Sequence, residues 1–229
     1  MKSLECNLSD CFLCKHCSPD WKELVAVKKL TLSFKKGEAI FTEGEKFKGI
    51  YFVYQGSAKV HKKWNEGKEF IIRFAKTGDV LGLRGIGIED RYPVSATALE
   101  GSKVCFIEID FFESTLKLNP SFTYSLLQLF ATELQKAENR LRNLAHMDVK
   151  GRIADALLAL QQVYGESKDK FIKLEITRQD ISSYAGTTYE TVFKFFTDLQ
   201  KRKIILTRGK RIKILQRERL REFVGRLIS

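Results

Sequence analysis

At 229 residues, with 44% hydrophobic and 30% charged side chains, the chain is long enough for one large or two ordinary soluble domains and apolar enough to bury real cores. No apolar run approaches the roughly 18–20 residues of a membrane span, and the opening MKSLECNLSDC lacks the apolar stretch of a secretory signal, so no membrane partner and a cytoplasmic location are expected. The net charge of +12 points to a polyanionic partner, and from Lys150 onward 18 Lys and Arg face 9 Asp and Glu, so most of that charge lies in the last third.

Four of the five cysteines, Cys6, Cys11, Cys14 and Cys17, fall within twelve residues, and Cys105 stands alone. That spacing is too close for an ordinary disulfide framework, and thiols clustered in a reducing compartment hold a metal more often than one another. Between residues 30 and 109 short alternating apolar segments recur, at 38–41, 49–54, 58–62, 70–74, 80–82, 95–99 and 104–109. Turn signals separate them at Glu43-Gly44, Gln55-Gly56, Asn65-Glu66-Gly67 and Thr77-Gly78-Asp79. Strands this short and evenly spaced predict a small β-barrel or roll.

After Asn119-Pro120 the pattern becomes helical, with Leu126, Phe130, Leu134, Ala137, Leu141 and Leu144 recurring every four or three residues. Polar Gln135, Glu138 and Arg142 take the other faces. So narrow a stripe over roughly five turns is the seam of a two-helix contact and predicts a dimerisation helix, hence a homodimer. A second helical stretch, with Ile153, Leu157, Leu160 and Val163, runs from Asp148 to the break at Gly165-Glu166-Ser167. Two short helices are expected at 178–185 and 188–201, and the tail at 204–215 alternates apolar and basic residues around Arg208-Gly209-Lys210 as a β-hairpin does.

The two short helices carry the strongest signal. Thr177 caps the first with Asp180 three residues on, Gly186 permits a tight turn, and Thr187 or Thr188 caps the second. Small Ala185 lets the helices cross closely, and Ile181, Val192 and Phe196 lock the pair together. This is a helix-turn-helix.

The run Thr177-Arg178-Gln179-Asp180-Ile181, followed by Glu190-Thr191-Val192-Phe193-Lys194, resembles the helix-turn-helix of the Crp/Fnr family of transcription regulators. The resemblance implies an α+β architecture: a cyclic-nucleotide-binding-like β-roll, a long dimerisation helix and a winged helix-turn-helix. The expected division is a cysteine-rich arm at 1–20, a β-roll sensor domain at 21–118, the dimerisation helix at 119–147 and the DNA-binding domain at 148–229. It also implies a palindromic double-stranded operator and contact with RNA polymerase.

In a major-groove helix Glu190 accepts from cytosine N4 and Lys194, one turn later, donates to guanine O6 and N7. The family more often has arginine where Lys194 stands, so a softer specificity is expected there. Tyr189 and Thr188 reach phosphate or a thymine methyl, while Arg178, Lys210, Arg211 and Lys213 position the protein on phosphates without specifying sequence. In isolation Glu190 and Lys194 would read as a surface ion pair worth about 0.2–0.5 kcal/mol; inside this motif the DNA role takes precedence.

In nucleotide-binding members of the family a glutamate meets the ribose and an arginine the cyclic phosphate. Leu83 and Val94 occupy those positions, and an apolar side chain cannot neutralise a phosphate, so cyclic AMP is not expected. Gly78-Asp79-Val80-Leu81-Gly82-Leu83-Arg84-Gly85-Ile86-Gly87, and Ala98-Leu99-Glu100-Gly101-Ser102-Lys103-Val104-Cys105 after it, look like the oxygen-sensing Fnr branch. That likeness implies a [4Fe-4S] cluster on three arm cysteines and Cys105, sensing oxygen, nitric oxide or redox state. Cys11, Cys14 and Cys17 are the expected arm ligands; the last gap is longer in that branch, which leaves Cys6 as the alternative. The arm cysteines with His16 between them also suit a zinc site, and an unidentified small molecule in the β-roll is the other alternative. His61 and His146 read as surface residues. No nucleophile, paired carboxylates or phosphate loop suggests an enzyme.

Overall fold

Two short helices, α1 (Phe12–His16) and α2 (Pro19–Lys28), precede strands β1 (Leu30–Phe34), β2 (Ala39–Phe41), β3 (Gly49–Gln55), β4 (Ser57–Asn65), β5 (Lys68–Lys76), β6 (Val80–Leu81), β7 (Ser95–Ala98) and β8 (Ser102–Glu108). The computed structural model describes residues 11–65, 67–87 and 89–225. The strands pair antiparallel in two four-stranded sheets, β1-β8-β3-β6 and β2-β7-β4-β5. Strand β3 is buried from Gly49 to Val53 without alternation, as expected of a strand covered on both faces. Helix α3 (Ile109–Leu118) packs over β3 and β8. At Gly49 a Cβ would lie 2.1 Å from the Ile107 carbonyl oxygen, so only glycine lets β3 pass β8 this closely. Ile50, Phe52, Ala75, Ala96, Val104 and Ile107 fill the core between and behind the sheets.

The chain divides into two compact units, 1–135 and 136–229. Helix α4 (Pro120–His146) begins at the first unit, where Phe122 and Leu126 are buried. The second unit contains α5 (Val149–Tyr164), α6 (Arg178–Ala185), α7 (Tyr189–Lys201), the hairpin β9 (Ile205–Arg208) and β10 (Arg211–Ile214), and α8 (Arg217–Val224). Asp148 Oδ1 accepts from the Gly151 N–H at 2.6 Å and caps α5. Ile153, Leu157 and Leu160 of α5 meet Ile181, Val192, Phe196, Leu199 and Leu220 in one apolar core.

The seven expected strands lie where the alternation placed them, with β4 and β5 running longer than the apolar signal. Strand β1 and helices α1, α2, α3 and α8 had not been expected. Helix α8 buries only Leu220 among charged residues, whereas α3 is a ten-residue helix that buries Phe112 and packs Ile109, Phe111 and Leu116 against the core. Among the described residues no helix is long and apolar enough to cross a membrane.

Candidate nucleic-acid interface and cysteine arm

Local capping builds the helix pair. Thr177 Oγ1 accepts from the Asp180 N–H at 3.0 Å and so caps α6, and its hydroxyl donates to the Asp180 carboxylate. Gly186 takes the left-handed conformation (φ 61°, ψ 49°) and ends α6 through its N–H to the Ser182 carbonyl. Thr188 Oγ1 accepts from the Thr191 N–H at 3.3 Å and so starts α7. Val192, Phe195, Phe196 and Leu199 form the buried face of α7; Tyr189, Glu190, Phe193 and Lys194 are exposed on the other.

Two arginines that sequence reasoning missed hold the turn. Arg152 on α5 donates through Nε to the Ala185 carbonyl at 2.8 Å, through Nη2 to Gly186 O at 3.3 Å and through Nη1 to Met147 O at 2.8 Å. Arg140 donates to the Tyr184 carbonyl at 2.6 Å and lies 3.9 Å over the Tyr184 ring. Cations at the carbonyl end of α6 satisfy groups the helix leaves open. Their partners lie 33 and 44 residues away, so no local pattern announces them.

The four expected phosphate contacts differ in setting. Lys210 is exposed in the turn between β9 and β10, and Lys213 is half-buried on β10. Arg211 lies 4.5 Å over the Phe171 ring and 3.7 Å from Asp169 Oδ2. Arg178 lies 5.8 and 5.5 Å over the Phe193 and Phe196 rings, with its Nε buried and lacking a hydrogen-bond partner among the described residues. Both arginines are therefore held in place by aromatic faces.

Along α4 the expected seam splits. Leu126, at 5% exposure, lies in the core of its own unit with Phe122, which removes it from an open stripe. Phe130, Leu134 (61% exposed), Ala137 and Leu141 (68%) are exposed, and Leu144 is half-buried.

Cys11, Cys14, Cys17 and Cys105 are all buried in the same apolar cluster of the first unit. Cys11 caps α1, its Sγ accepting from the Cys14 N–H at 3.4 Å, and Cys17 ends that helix. The Cys14 thiol hydrogen bond holds the Cys11 thiol down at about 7, and burial pushes Cys17 up to about 12. Cys105 stands on β8 between Thr31 of β1 and Phe52 of β3. The arm is anchored beside them: Ser18 Oγ donates to Asn119 Oδ1 at 2.9 Å and Trp21 Nε1 to Thr115 Oγ1 at 2.9 Å. Trp21 stacks on Phe111 at 5.7 Å, and Phe12 meets Phe122 edge-on at 5.9 Å.

Among the described residues no group of three or more His, Cys, Asp and Glu is close enough to hold one metal ion, so the four expected ligands are not gathered round a single point. Cys6 lies outside the described residues. His16 is exposed and His146 likewise. His61, expected at the surface, is instead buried on β4: Nε2 lies 2.9 Å from Thr97 Oγ1 and Nδ1 2.9 Å from Glu69 Oε2. The alternation of β4 lapses at Val60 and His61, where a bulge turns both inward. Burial alone would raise the Glu69 carboxyl, but hydrogen bonds from His61 and Lys59 hold it at about 2.

Residues 31–119 match the cyclic nucleotide-binding domain family and residues 151–223 the Crp-like helix-turn-helix domain family. The transcriptional activator protein Anr of Pseudomonas protegens is 30% identical over 220 residues, spanning 92% of this chain and 89% of that protein. The chain belongs to the Crp/Fnr family of transcription regulators. The fumarate and nitrate reduction regulatory protein of Vibrio cholerae is 26% identical over 227 residues, or 96% of this chain and 90% of that one. FixK2 of Bradyrhizobium japonicum shares the fold at a TM-score of 0.75 and 24% identity, across 85% of this chain and 96% of its own. As a Crp/Fnr regulator the protein binds DNA and is not an enzyme.

Val94 is buried and Leu83 packs against the core of the roll. Near them Arg73 of β5 donates to the Val80 carbonyl at 2.5 Å and pairs with Asp79 at 3.6 Å and with Glu133 of α4 at 3.4 Å. Arg73 thus links the roll to the long helix through charge.

Proposed function

We propose that this Crp/Fnr regulator binds a palindromic DNA site as a homodimer, reads each half-site with α7, and has its DNA affinity set by a [4Fe-4S] cluster held by the arm and Cys105. The observation that carries the DNA-reading role is the two-sided character of α7: Glu190 and Lys194 are exposed on one face of a capped helix whose other face is locked into the core. Glu190 and Lys194 then take adjacent C·G pairs, Thr188 and Tyr189 border them, and Lys210 with Lys213, Arg178 and Arg211 lies against phosphates. The exposed stripe of Phe130, Leu134, Ala137 and Leu141 supports pairing with a second copy, which sets the half-sites about 34 Å apart. RNA polymerase is the expected partner on the DNA.

The sensing role rests on the four buried thiols. Thiolates suit iron–sulfur clusters, and a cubane takes one thiolate at each iron, so its ligands surround it rather than meet at one ion. Cys11, Cys14, Cys17 and Cys105 are the residues that would hold it. Such a cluster would supply an oxygen- and nitric-oxide-sensitive linkage between the arm and the roll. Ser18, Trp21 and Phe12 grip α3 and the first turn of α4, so a change in the order of the arm acts on the long helix. For this to regulate, the liganded arm must favour the DNA-competent dimer over the incompetent form. A small-molecule effector in the β-roll is the second reading, favoured by the match of residues 31–119 to the cyclic nucleotide-binding domain family.

The test of DNA reading is equilibrium binding of full-length protein to duplexes it selects from a random pool. Glu190→Ala is expected to lower affinity for the selected site by about 10- to 100-fold, the worth of roughly 1–3 kcal/mol, with binding to random duplex unchanged. Equal losses on both duplexes would contradict base reading by Glu190.

A further inference from the structure

One side chain on the DNA-reading face has been given no contact with DNA above. Phe193 is 51% exposed, three residues after Glu190 and one before Lys194, in a helix that buries Val192, Phe195, Phe196 and Leu199. Its ring is nonetheless held. The Tyr189 ring lies 6.4 Å away at an interplanar angle of 22°, and the Arg178 guanidinium sits 5.8 Å over the Phe193 ring. A side chain confined in this way has given up rotamer freedom before binding, which is the condition for a specific contact rather than an adaptable one.

We infer that Phe193 is a specificity-determining residue that reads thymine, packing its ring on the 5-methyl group beside the C·G pairs taken by Glu190 and Lys194. The inference rests on the assignment of α7 as the DNA-reading helix and deepens it. The major-groove edges of guanine, cytosine and adenine present donors and acceptors, whereas thymine presents a methyl group as well. A phenyl ring offers no hydrogen bond, so against N7, O6 or N4 it strips water from a polar atom without replacing it, and against the methyl group it does not. Its place on the helix limits the choice of base pair. Successive residues rise by about 1.5 Å, which puts Phe193 within about one base-pair step of the pairs met by Glu190 and Lys194.

The experiment compares sites selected from a random duplex pool by full-length wild type, Phe193→Ala, Phe193→Leu and Glu190→Ala, with far-ultraviolet circular dichroism confirming that each is folded. Wild type and Phe193→Leu, which keeps an apolar surface, are expected to enrich a thymine at one position of each half-site. Phe193→Ala is expected to lose that thymine and keep the C·G preference. Replacing the thymine by deoxyuridine removes only the methyl group and is expected to weaken wild-type binding about fourfold, the effect of one buried methylene, with Phe193→Ala unaffected. Thymine and deoxyuridine sites bound equally by wild type, or a thymine preference that survives in Phe193→Ala, would overturn the inference and leave α7 as the reading helix. A wild type that enriches no sequence, or a C·G preference that persists in Glu190→Ala, would overturn the assignment of α7 and the inference together.

Discussion

In the helix-turn-helix, the groups that set the reading face lie within twenty residues: Thr177 and Asp180 start α6, Gly186 ends it, and Thr188 starts α7. In the proposed sensing site, Cys11, Cys14 and Cys17 would be joined by Cys105, nearly ninety residues further on and on strand β8. One site is fixed by hydrogen bonds between near neighbours. The other shares a buried cluster but does not converge among the described residues, and a bound group would have to complete it. A site of the first kind suits a fixed reading surface, and one of the second kind suits a switch.

The largest expected effect separates the two by removing the helix between them from any partner. Leu134→Glu with Leu141→Glu places charges on the exposed stripe of α4, and sedimentation should report a monomer. Because paired half-site binding raises affinity by roughly two orders of magnitude or more, operator affinity is expected to fall on the order of 100-fold. An unchanged dimer would move the interface elsewhere. Next comes the turn itself. Arg152→Ala removes hydrogen bonds to the Met147, Ala185 and Gly186 carbonyls, and a loss of about 1–3 kcal/mol should lower the thermal midpoint of the DNA-binding half and its operator affinity together.

A smaller effect is expected at the cap of α7, where Thr188→Ala removes the acceptor for the Thr191 N–H. The cost is about 1 kcal/mol, read in a denaturant titration. If operator affinity falls much further than stability does, Thr188 also touches DNA. The smallest concerns pH. With its carboxyl at about 2 in the folded chain and about 4.3 unfolded, Glu69 stabilises the roll fully above the unfolded value and loses that contribution as pH falls toward 2. Glu69→Gln should therefore lower the thermal midpoint at pH 7, and the gap from wild type should close as the pH is taken from 5 toward 2.5. A constant gap would mean that packing rather than charge accounts for it.

How far these features were legible in the sequence follows from the same contrast. The spans of α6 and α7 were readable because caps and a left-handed glycine act over three or four residues. The strands of the roll were readable because alternation is local. Arg152 and Arg140 were not, since each bonds carbonyls brought near only by folding. Leu126 fitted the helical stripe as well as Leu134 did, and only the packing of Phe122 and the first unit's core separates the buried residue from the exposed one. His61 was placed outside by its polarity, whereas the bulge in β4 and the waiting Thr97 and Glu69 accommodate it inside. The cysteines were legible as donors, and their final arrangement was not, because the sequence records which thiols exist and not what draws them together.

The most direct test of the coupling between these two sites is a visible absorption spectrum, with iron and sulfide content and operator affinity, on full-length protein purified without oxygen and then exposed to air. The expected result is a broad visible band with about four irons and four sulfides per chain, which fades in air as operator affinity falls, and which Cys105→Ser lacks from the start. Protein without iron or sulfide that binds its operator equally before and after air would contradict the cluster and leave the β-roll as the place to look for the signal.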